Sequence, residues 1–147
     1  MKIAETATIA RPAQQVWETL ADFGRISVWA PNVDHSCLMS QRHSGIGTVR
    51  RIQTGRATVV ERVTHWEPEV RLSYTIEGLP PVVRSVTNTW QLTEAFGTTT
   101  VTLTSEIDAG PRPPQKVVAR GVGRALAKAS AQMISGLNAH VTAAVRS

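Results

Sequence analysis

Hydrophobic and polar residues alternate along much of the chain, beginning at its first residues. In the stretch KIAETATI, Ile3, Ala7 and Ile9 share one side, which is the period-two pattern of a β-strand. Between residues 32 and 107, Thr, Val, Ile and Arg alternate again, and glycine or proline interrupts them at intervals. This pattern predicts six further strands, joined by short turns into an antiparallel sheet, near residues 33–39, 46–54, 56–66, 71–77, 84–94 and 98–108.

Two short helices are predicted directly after the first strand. Apolar residues recur at helical spacing after Pro12, whose fixed φ suits a first helical position, so a short amphipathic helix is expected over residues 12–21. Asp22 can cap a second short helix that ends before Pro31.

A long amphipathic helix is predicted near the end of the chain, where QKVVARGVGRALAKASAQMISGLNAHVTAAVR contains no proline and much alanine. Its apolar stripe has a spacing of three and four residues and consists of Val118, Val122, Ala125 or Leu126, Ala129, Met133, Leu137 and Val141. Pro111, Pro113 and Pro114 are interpreted as a stiff turn before this helix.

These elements predict a single α+β domain over residues 1–147, in which a curved antiparallel sheet of seven strands wraps around the long helix. The helix stripe consists mostly of Val and Ala, with glycines nearby. Small residues facing a curved sheet either leave an internal cavity or allow the helix to approach the sheet closely, and composition alone does not decide between the two.

Several polar residues share strand faces with the apolar residues that are expected to point inward. They are Glu5, Glu61, His65, Tyr74, Arg84 and Asn88, with Trp90 among the apolar neighbours. A lone buried carboxylate is costly, so this pattern favours water, a partner or a ligand inside. The alternatives are that Glu5 reaches solvent, Glu61 protects an edge strand, His65 is a structural histidine, and Arg84 forms an internal ion pair with Glu61 or Glu5.

Composition excludes several classes of function. The chain has 147 residues, a formal charge of +5 and a single cysteine, Cys37, so an internal disulfide and the usual cysteine-based zinc sites are excluded. Its basic residues are scattered, and Arg120, Arg124 and Lys128 are interpreted as a solvated helix face, so no nucleic acid is expected as a partner. No membrane-spanning segment, secretory signal, metal site or cofactor motif is found, and a cytoplasmic protein without a cofactor is expected.

The segments TIARPAQQVWETLADFGRISVWAPNV, GIGTVRRI and VVERVTHWEPEVRLSYTIEG, followed by the long helix, resemble the polyketide cyclase/dehydrase and lipid-transport group of the START-like (SRPBCC, helix-grip) superfamily. The resemblance covers nearly the whole chain. It implies a helix-grip fold with an internal cavity for a hydrophobic ligand, and it implies no particular reaction because the superfamily includes both enzymes and binding proteins.

Three functions are therefore considered, and the first is preferred. A carrier or sensor would bind a polyketide-, aromatic- or lipid-like molecule through Trp29, Glu61, Tyr74, Arg84, Asn88, Trp90, Met133 and Leu137. Phe23 and Trp29 are expected at the mouth of the cavity, and Trp17 as an anchor of the first helix.

The second function is a polyketide cyclase/dehydrase-type enzyme. It would use Glu61 or His65 as the general base and Arg84 or Tyr74 to stabilise an enolate. The third is a protein-interaction module, whose scattered basic residues would contact an acidic partner.

Overall fold

The computed structural model describes residues 1–79, 83–108 and 113–143, with side chains from residue 120 onward in the last segment. The strands are β1 (Lys2–Ile9), β2 (His35–Leu38), β3 (Val49–Thr54), β4 (Ala57–Glu67), β5 (Arg71–Glu77), β6 (Ser85–Ala95) and β7 (Thr98–Asp108). The helices are α1 (Ala13–Ala21) and α2 (Pro113–Ala143), and a short 3-10 segment, Phe23–Val28, follows α1.

The seven strands form one antiparallel sheet in the order β1-β7-β6-β5-β4-β3-β2. From β2 to β7, strands that are consecutive in the sequence are also adjacent in the sheet. Strand β1 lies at the edge of the sheet and pairs with β7. Helix α2 contacts β1, β7 and α1. The predicted α+β architecture, with a seven-stranded antiparallel sheet and a long helix against it, is confirmed.

The start of α2 differs from the prediction. The helix begins at Pro113, so Pro113 and Pro114 belong to its first turn and not to a preceding turn. The reason is that first-turn N–H groups have no partner within a helix, so proline is tolerated there. Pro111 and the predicted helical residues 144–146 lie outside the described residues, as does the predicted break at Pro80 and Pro81. Strand β2 is shorter than predicted and covers only four residues.

The apolar core consists of two clusters. The larger contains three aromatic pairs in edge-to-face contact, with centroid separations between 5.2 and 5.9 Å: Trp17–Trp66, Phe23–Tyr74 and Trp29–Trp90. The smaller is built on Val83, Val86 and Ile107, with Leu79, Val122 and Leu126 packed against it. Aromatic rings therefore fill one part of the interior, and aliphatic side chains line the other.

Glycines allow α2 to approach its neighbours at two points. A Cβ atom at Gly123 would lie 2.8 Å from Sδ of Met1, and one at Gly136 would lie 2.6 Å from Cδ of Pro31 and would also collide with the carbonyl oxygen of Trp29. The helix is thus held closely at two positions that are about 20 Å apart along its axis. Within the described segments, no helix is both long enough and apolar enough to span a bilayer.

Candidate functional site

A cavity of about 380 Å³ lies between the two core clusters, where the inner faces of β3 to β6 meet α2. Its described lining residues are mostly aliphatic: Asn32, Val33, Ile52, Thr54, Ala57, Val59, Glu61, Ile76, Leu79, Asn88, Val122, Ala125, Leu126, Ala129 and Met133. Four of the five α2 residues in this lining lie between the two close approaches at Gly123 and Gly136, where alanines leave space in front of the sheet, and Val122 lies just before the first. The predicted internal cavity is confirmed, and glycine and alanine have separate roles in forming it.

The register of β3 and β4 shows which end of the cavity is exposed to solvent and which end is buried. Three successive inward pairs follow the hairpin: Thr54 opposite Ala57, Ile52 opposite Val59, and Arg50 opposite Glu61. The first pair is exposed and the last is buried. Four residues of extended strand separate these two pairs, so the cavity is about 13 Å deep from its open end to its closed end.

A buried ion pair lies at the closed end. Nε and Nη2 of Arg50 are each 2.7 Å from Oε1 of Glu61, and the two residues are only 2% and 5% exposed. Nη1 of Arg50 donates to the carbonyl oxygen of Phe23 at 3.0 Å. The guanidinium carbon also lies 3.7 Å from the ring centroid of Phe23 and 4.7 Å from that of Tyr74. Arg50 is thus enclosed by aromatic rings and a carbonyl, and Glu61 lies between it and the cavity.

Burial shifts the pKa of this carboxyl group. The pKa of Glu61 is raised above its ordinary value of 4.5, because the loss of hydration outweighs the attraction and hydrogen bonding of Arg50. A carboxyl group of this kind takes up a proton more readily than one in water, which gives the closed end an acid–base group.

A second polar network adjoins Glu61. The hydroxyl oxygen of Tyr74 accepts hydrogen bonds from Nε1 of Trp90 at 3.2 Å and from Nδ2 of Asn88 at 3.4 Å. Oγ of Ser105 donates to Oδ1 of Asn88 at 2.6 Å. The pKa of Tyr74 is raised above 10.0, first by burial and then by the charge of Glu61. Tyr74 therefore stays protonated as a neutral hydrogen-bonding group.

Six of the eight residues predicted for ligand binding fall into two groups. Glu61, Asn88 and Met133 line the cavity. Tyr74, Trp90 and Leu137 are at most 1% exposed and belong to the larger core cluster, outside the described lining of the cavity. Glu5 is half-buried on the inner face of β1, opposite Leu103.

The prediction that Phe23 and Trp29 stand at the cavity mouth is wrong. Phe23 is buried beneath the guanidinium of Arg50. Trp29 is 7% exposed, packs edge-on against Trp90, and borders a separate surface groove of about 280 Å³ with Glu18 and His140. The reason is that the 3-10 segment packs against the aromatic core, and not against the exposed end of the cavity at the β3–β4 hairpin. Trp17 packs against Trp66, as expected for an anchor of α1.

The inward placement of His65 is also wrong. The register of β4 shifts between Val63 and His65, so the inward-facing positions change beyond this point. Val63 and Trp66 are paired with the inward residues Tyr74 and Leu72, whereas His65 is paired with Ser73 on the outer face of the sheet. The histidine Nε2 lies 3.3 Å from Oε2 of Glu67 at the surface. His65 is therefore excluded as the general base of a reaction in the cavity.

Arg84 does not occupy the interior. Its side chain is exposed, and its backbone N–H donates to the carbonyl oxygen of Asp108 at 2.7 Å. Arg84 precedes the first residue of β6, so the alternation of that strand does not control its direction. The predicted ion pair with Glu61 or Glu5 is not formed by this residue, and Arg50 pairs with Glu61 instead.

Sequence reasoning missed Arg50, although a signal was present. Arg50 is two residues from Ile52, so the alternation that places Ile52 inside also places Arg50 inside. The adjacent Arg51 is exposed. Asn32 and Val33, which precede β2, were also missed: Asn32 lies outside the predicted strands, and Val33 is only the first residue of one. Among the residues that can be described, no cluster of three or more His, Cys, Asp and Glu side chains is arranged to hold a metal ion.

Comparison with known structures identifies proteins that share this fold. The Zhui aromatase/cyclase from Streptomyces sp. R1128 superposes with a TM-score of 0.82 at 20% identity, covering 100% of this chain and 96% of that one. The di-domain ARO/CYC StfQ of the steffimycin biosynthetic pathway gives 0.81 at 12% identity, covering 99% of this chain and 52% of that one. A START superfamily protein from Mycobacterium smegmatis gives 0.73 at 11% identity, covering 96% and 97%.

These identities show a shared fold. Comparison with curated proteins finds no match. The family model described as polyketide cyclase / dehydrase and lipid transport matches residues 1–142. The chain therefore belongs to the polyketide cyclase/dehydrase and lipid-transport family, and its sheet and long helix form the helix-grip fold of the START-like superfamily.

Proposed function

We propose that the protein binds a hydrophobic small molecule in the cavity between the sheet and α2, as a carrier or sensor. The observation that carries this proposal is the 380 Å³ cavity itself, whose described wall is mostly aliphatic with a few polar side chains. A cavity of this size falls within the range of small-molecule sites, which combine apolar walls with a few placed polar groups. The lipid-transport description of the family model supports the same conclusion.

The wall supports a ligand with an apolar body. Between the exposed end and Glu61, the described sheet residues that line the cavity include Ile52, Val59 and Ile76, and α2 adds Ala125 and Ala129. These side chains offer dispersion contacts and no hydrogen bonds. Binding would therefore be driven mainly by removal of apolar ligand surface from water.

The proposal is tested by titrating the protein with the neutral fluorescent dye N-phenyl-1-naphthylamine. Ala129 lines the cavity, so Ala129→Phe places a ring inside it, whereas Ala131 is exposed on α2 and Ala131→Phe leaves the cavity open. Saturable dye fluorescence is expected for the wild type and for Ala131→Phe, with a loss of at least tenfold in affinity for Ala129→Phe. Equal dye binding by the two variants would place the dye elsewhere and contradict the proposal.

A cyclase- or dehydrase-type enzyme is the second candidate, and one observation favours it. Burial raises the pKa of Glu61, which is the change that fits a carboxyl group for proton transfer near neutral pH. Of the four catalytic candidates, Glu61 lines the cavity, Tyr74 lies behind it, and His65 and Arg84 lie outside it. The neighbouring cation is Arg50, which is covered by aromatic rings.

Glu61→Gln distinguishes the two functions. An enzyme that relies on this base would lose roughly 100-fold or more in turnover of a poly-β-ketone substrate. A carrier or sensor has no turnover to lose, and the variant changes only its affinities.

A further inference from the structure

We propose that the closed end of the cavity selects a neutral ligand whose leading end carries a hydrogen-bond donor, such as a phenol or an alcohol, and disfavours a carboxylate. This inference rests on the proposed function and names the class of ligand that the same cavity would accept. It follows from which polar atoms at the closed end are already occupied and which remain free.

Glu61 has unused acceptor capacity. Both contacts with Arg50 end on Oε1, and within the described part of the chain no donor reaches Oε2. A carboxylate can accept about four hydrogen bonds. Because Glu61 lines the cavity and is only 5% exposed, a donor for the remaining positions has to come from whatever fills the cavity.

The cation at the closed end is not available to an anionic ligand. Arg50 is not among the described residues that line the cavity, and Glu61, the Phe23 carbonyl oxygen and two aromatic rings surround its guanidinium. A ligand carboxylate would therefore meet the carboxylate of Glu61 before it met Arg50. Above the folded-state pKa of Glu61, where its carboxyl group is ionised beside Arg50, two like charges in this poorly hydrated site repel strongly, whereas a ligand hydroxyl donates a charge-assisted hydrogen bond.

Asn88 is compatible with a ligand hydroxyl but does not select for one. Its Oδ1 accepts one hydrogen bond from Ser105, and its Nδ2 makes one long contact of 3.4 Å with Tyr74. The side-chain amide can still offer both a donor and an acceptor to a ligand. Asn88 therefore accommodates the oxygen of a ligand hydroxyl, and the preference for a donor comes from Glu61.

The test compares three probes that share one ring system, naphthalene, 2-naphthol and 2-naphthoate, titrated into the wild-type protein at a pH above the folded-state pKa of Glu61 and below the pKa of the naphthol hydroxyl. We expect 2-naphthol to bind at least tenfold more tightly than naphthalene, and 2-naphthoate to bind more weakly than naphthalene. Equal affinities for naphthalene and 2-naphthol, or tighter binding of 2-naphthoate, would overturn this inference while leaving the proposed function intact. Failure of all three probes to bind would count against the proposed function itself.

Glu61→Gln gives a second readout. The carboxamide places a donor where Oε2 faced the cavity and removes the negative charge, so the affinity for 2-naphthoate should rise at least tenfold and the preference for 2-naphthol should fall. Glu77→Gln is the matched control, because Glu77 is exposed at the end of β5 and should leave all three affinities unchanged. An unchanged order of affinities in a folded Glu61→Gln protein would overturn the inference. If that variant does not fold, the wild-type series decides alone.

Discussion

The ion pair between Arg50 and Glu61 is the feature that most distinguishes the interior of this protein from an ordinary apolar core. Two opposite charges stay buried together because each satisfies the other and because Phe23 and Tyr74 cover the guanidinium. A pair of this kind adds little net stability compared with apolar residues of the same volume. Removal of one member is costly, however, since the other is left buried and uncompensated.

Arg50→Met is therefore expected to lower the free energy of unfolding by about 3–5 kcal/mol, measured by urea denaturation. Arg51→Met is the matched control on the same strand, where the side chain is exposed, and it should change stability by less than about 0.5 kcal/mol. The double variant Arg50→Met with Glu61→Met should regain much of the loss. A small effect of Arg50→Met alone would show that water reaches the pair.

The raised pKa of Glu61 predicts how stability depends on pH. The folded protein holds this proton at pH values where the unfolded chain has released it, so the contribution of Glu61 is present below about pH 4.5 and is lost as the pH rises through the folded-state pKa. The melting temperature of the wild type should therefore fall relative to that of Glu61→Gln over this interval. A wild-type curve that rises relative to the variant would mean that Arg50 lowers the pKa.

At the residue scale, alternation along a strand predicts which side chains face inward only while the register is continuous. It placed Glu61 and Asn88 at the cavity because both lie within regular parts of β4 and β6. It failed at His65, since one extra residue in β4 reverses every later side chain, and no local sequence signal marks that residue. It also failed at Arg84, which lies just before its strand begins.

At the element scale, α2 combines two requirements that conflict in most helices. The helix has to lie close to the loop that follows the 3-10 segment, and it also has to leave space in front of the sheet. Gly136 meets the first requirement and alanines meet the second. The sequence shows both residue types on this helix, but it does not show which glycine faces a neighbour, because that depends on how the helix is rotated against the sheet.

Gly136→Ala tests the close approach. In an exposed helix this change stabilises by about 1 kcal/mol, because glycine is the poorer helix former. At position 136 the new methyl group would lie 2.6 Å from Cδ of Pro31, so the variant should instead be destabilised, by about 1–3 kcal/mol in thermal or urea unfolding.

Gly121→Ala supplies the comparison for this prediction. A Cβ atom at position 121 has no neighbour within 4 Å, so this variant should be as stable as the wild type or more stable. Equal effects at the two positions would mean that the contact between α2 and Pro31 is not tight.

At the scale of the whole molecule, the division of the core into two clusters has a thermodynamic cost. Protein interiors are normally filled to the density of organic crystals, and a cavity loses the dispersion contacts that its lining would otherwise make. The aromatic pairs close one side firmly, while the aliphatic wall of the other side is left incompletely packed. The number of strands and their antiparallel hairpins could be predicted from turn signals and alternation, whereas the pairing of β1 with β7 was not predicted. The cavity depends on the distance between elements, which no local pattern specifies.

A protein with a cavity between its two core clusters should be stabilised by any side chain or ligand that fills this cavity. Ala129→Phe adds a buried ring in the cavity and should raise stability by about 0.5–2 kcal/mol without any ligand, whereas Ala131→Phe adds an exposed ring and should not. For the wild type, N-phenyl-1-naphthylamine at 100 times its dissociation constant should add about 2.7 kcal/mol, or roughly 5–10 °C in melting temperature. Ala129→Phe should lose this ligand-dependent shift and Ala131→Phe should keep it, which differential scanning fluorimetry by intrinsic tryptophan emission can measure. Destabilisation by Ala129→Phe, together with a dye shift that it retains in full, would mean that the space between the sheet and α2 is already filled in solution.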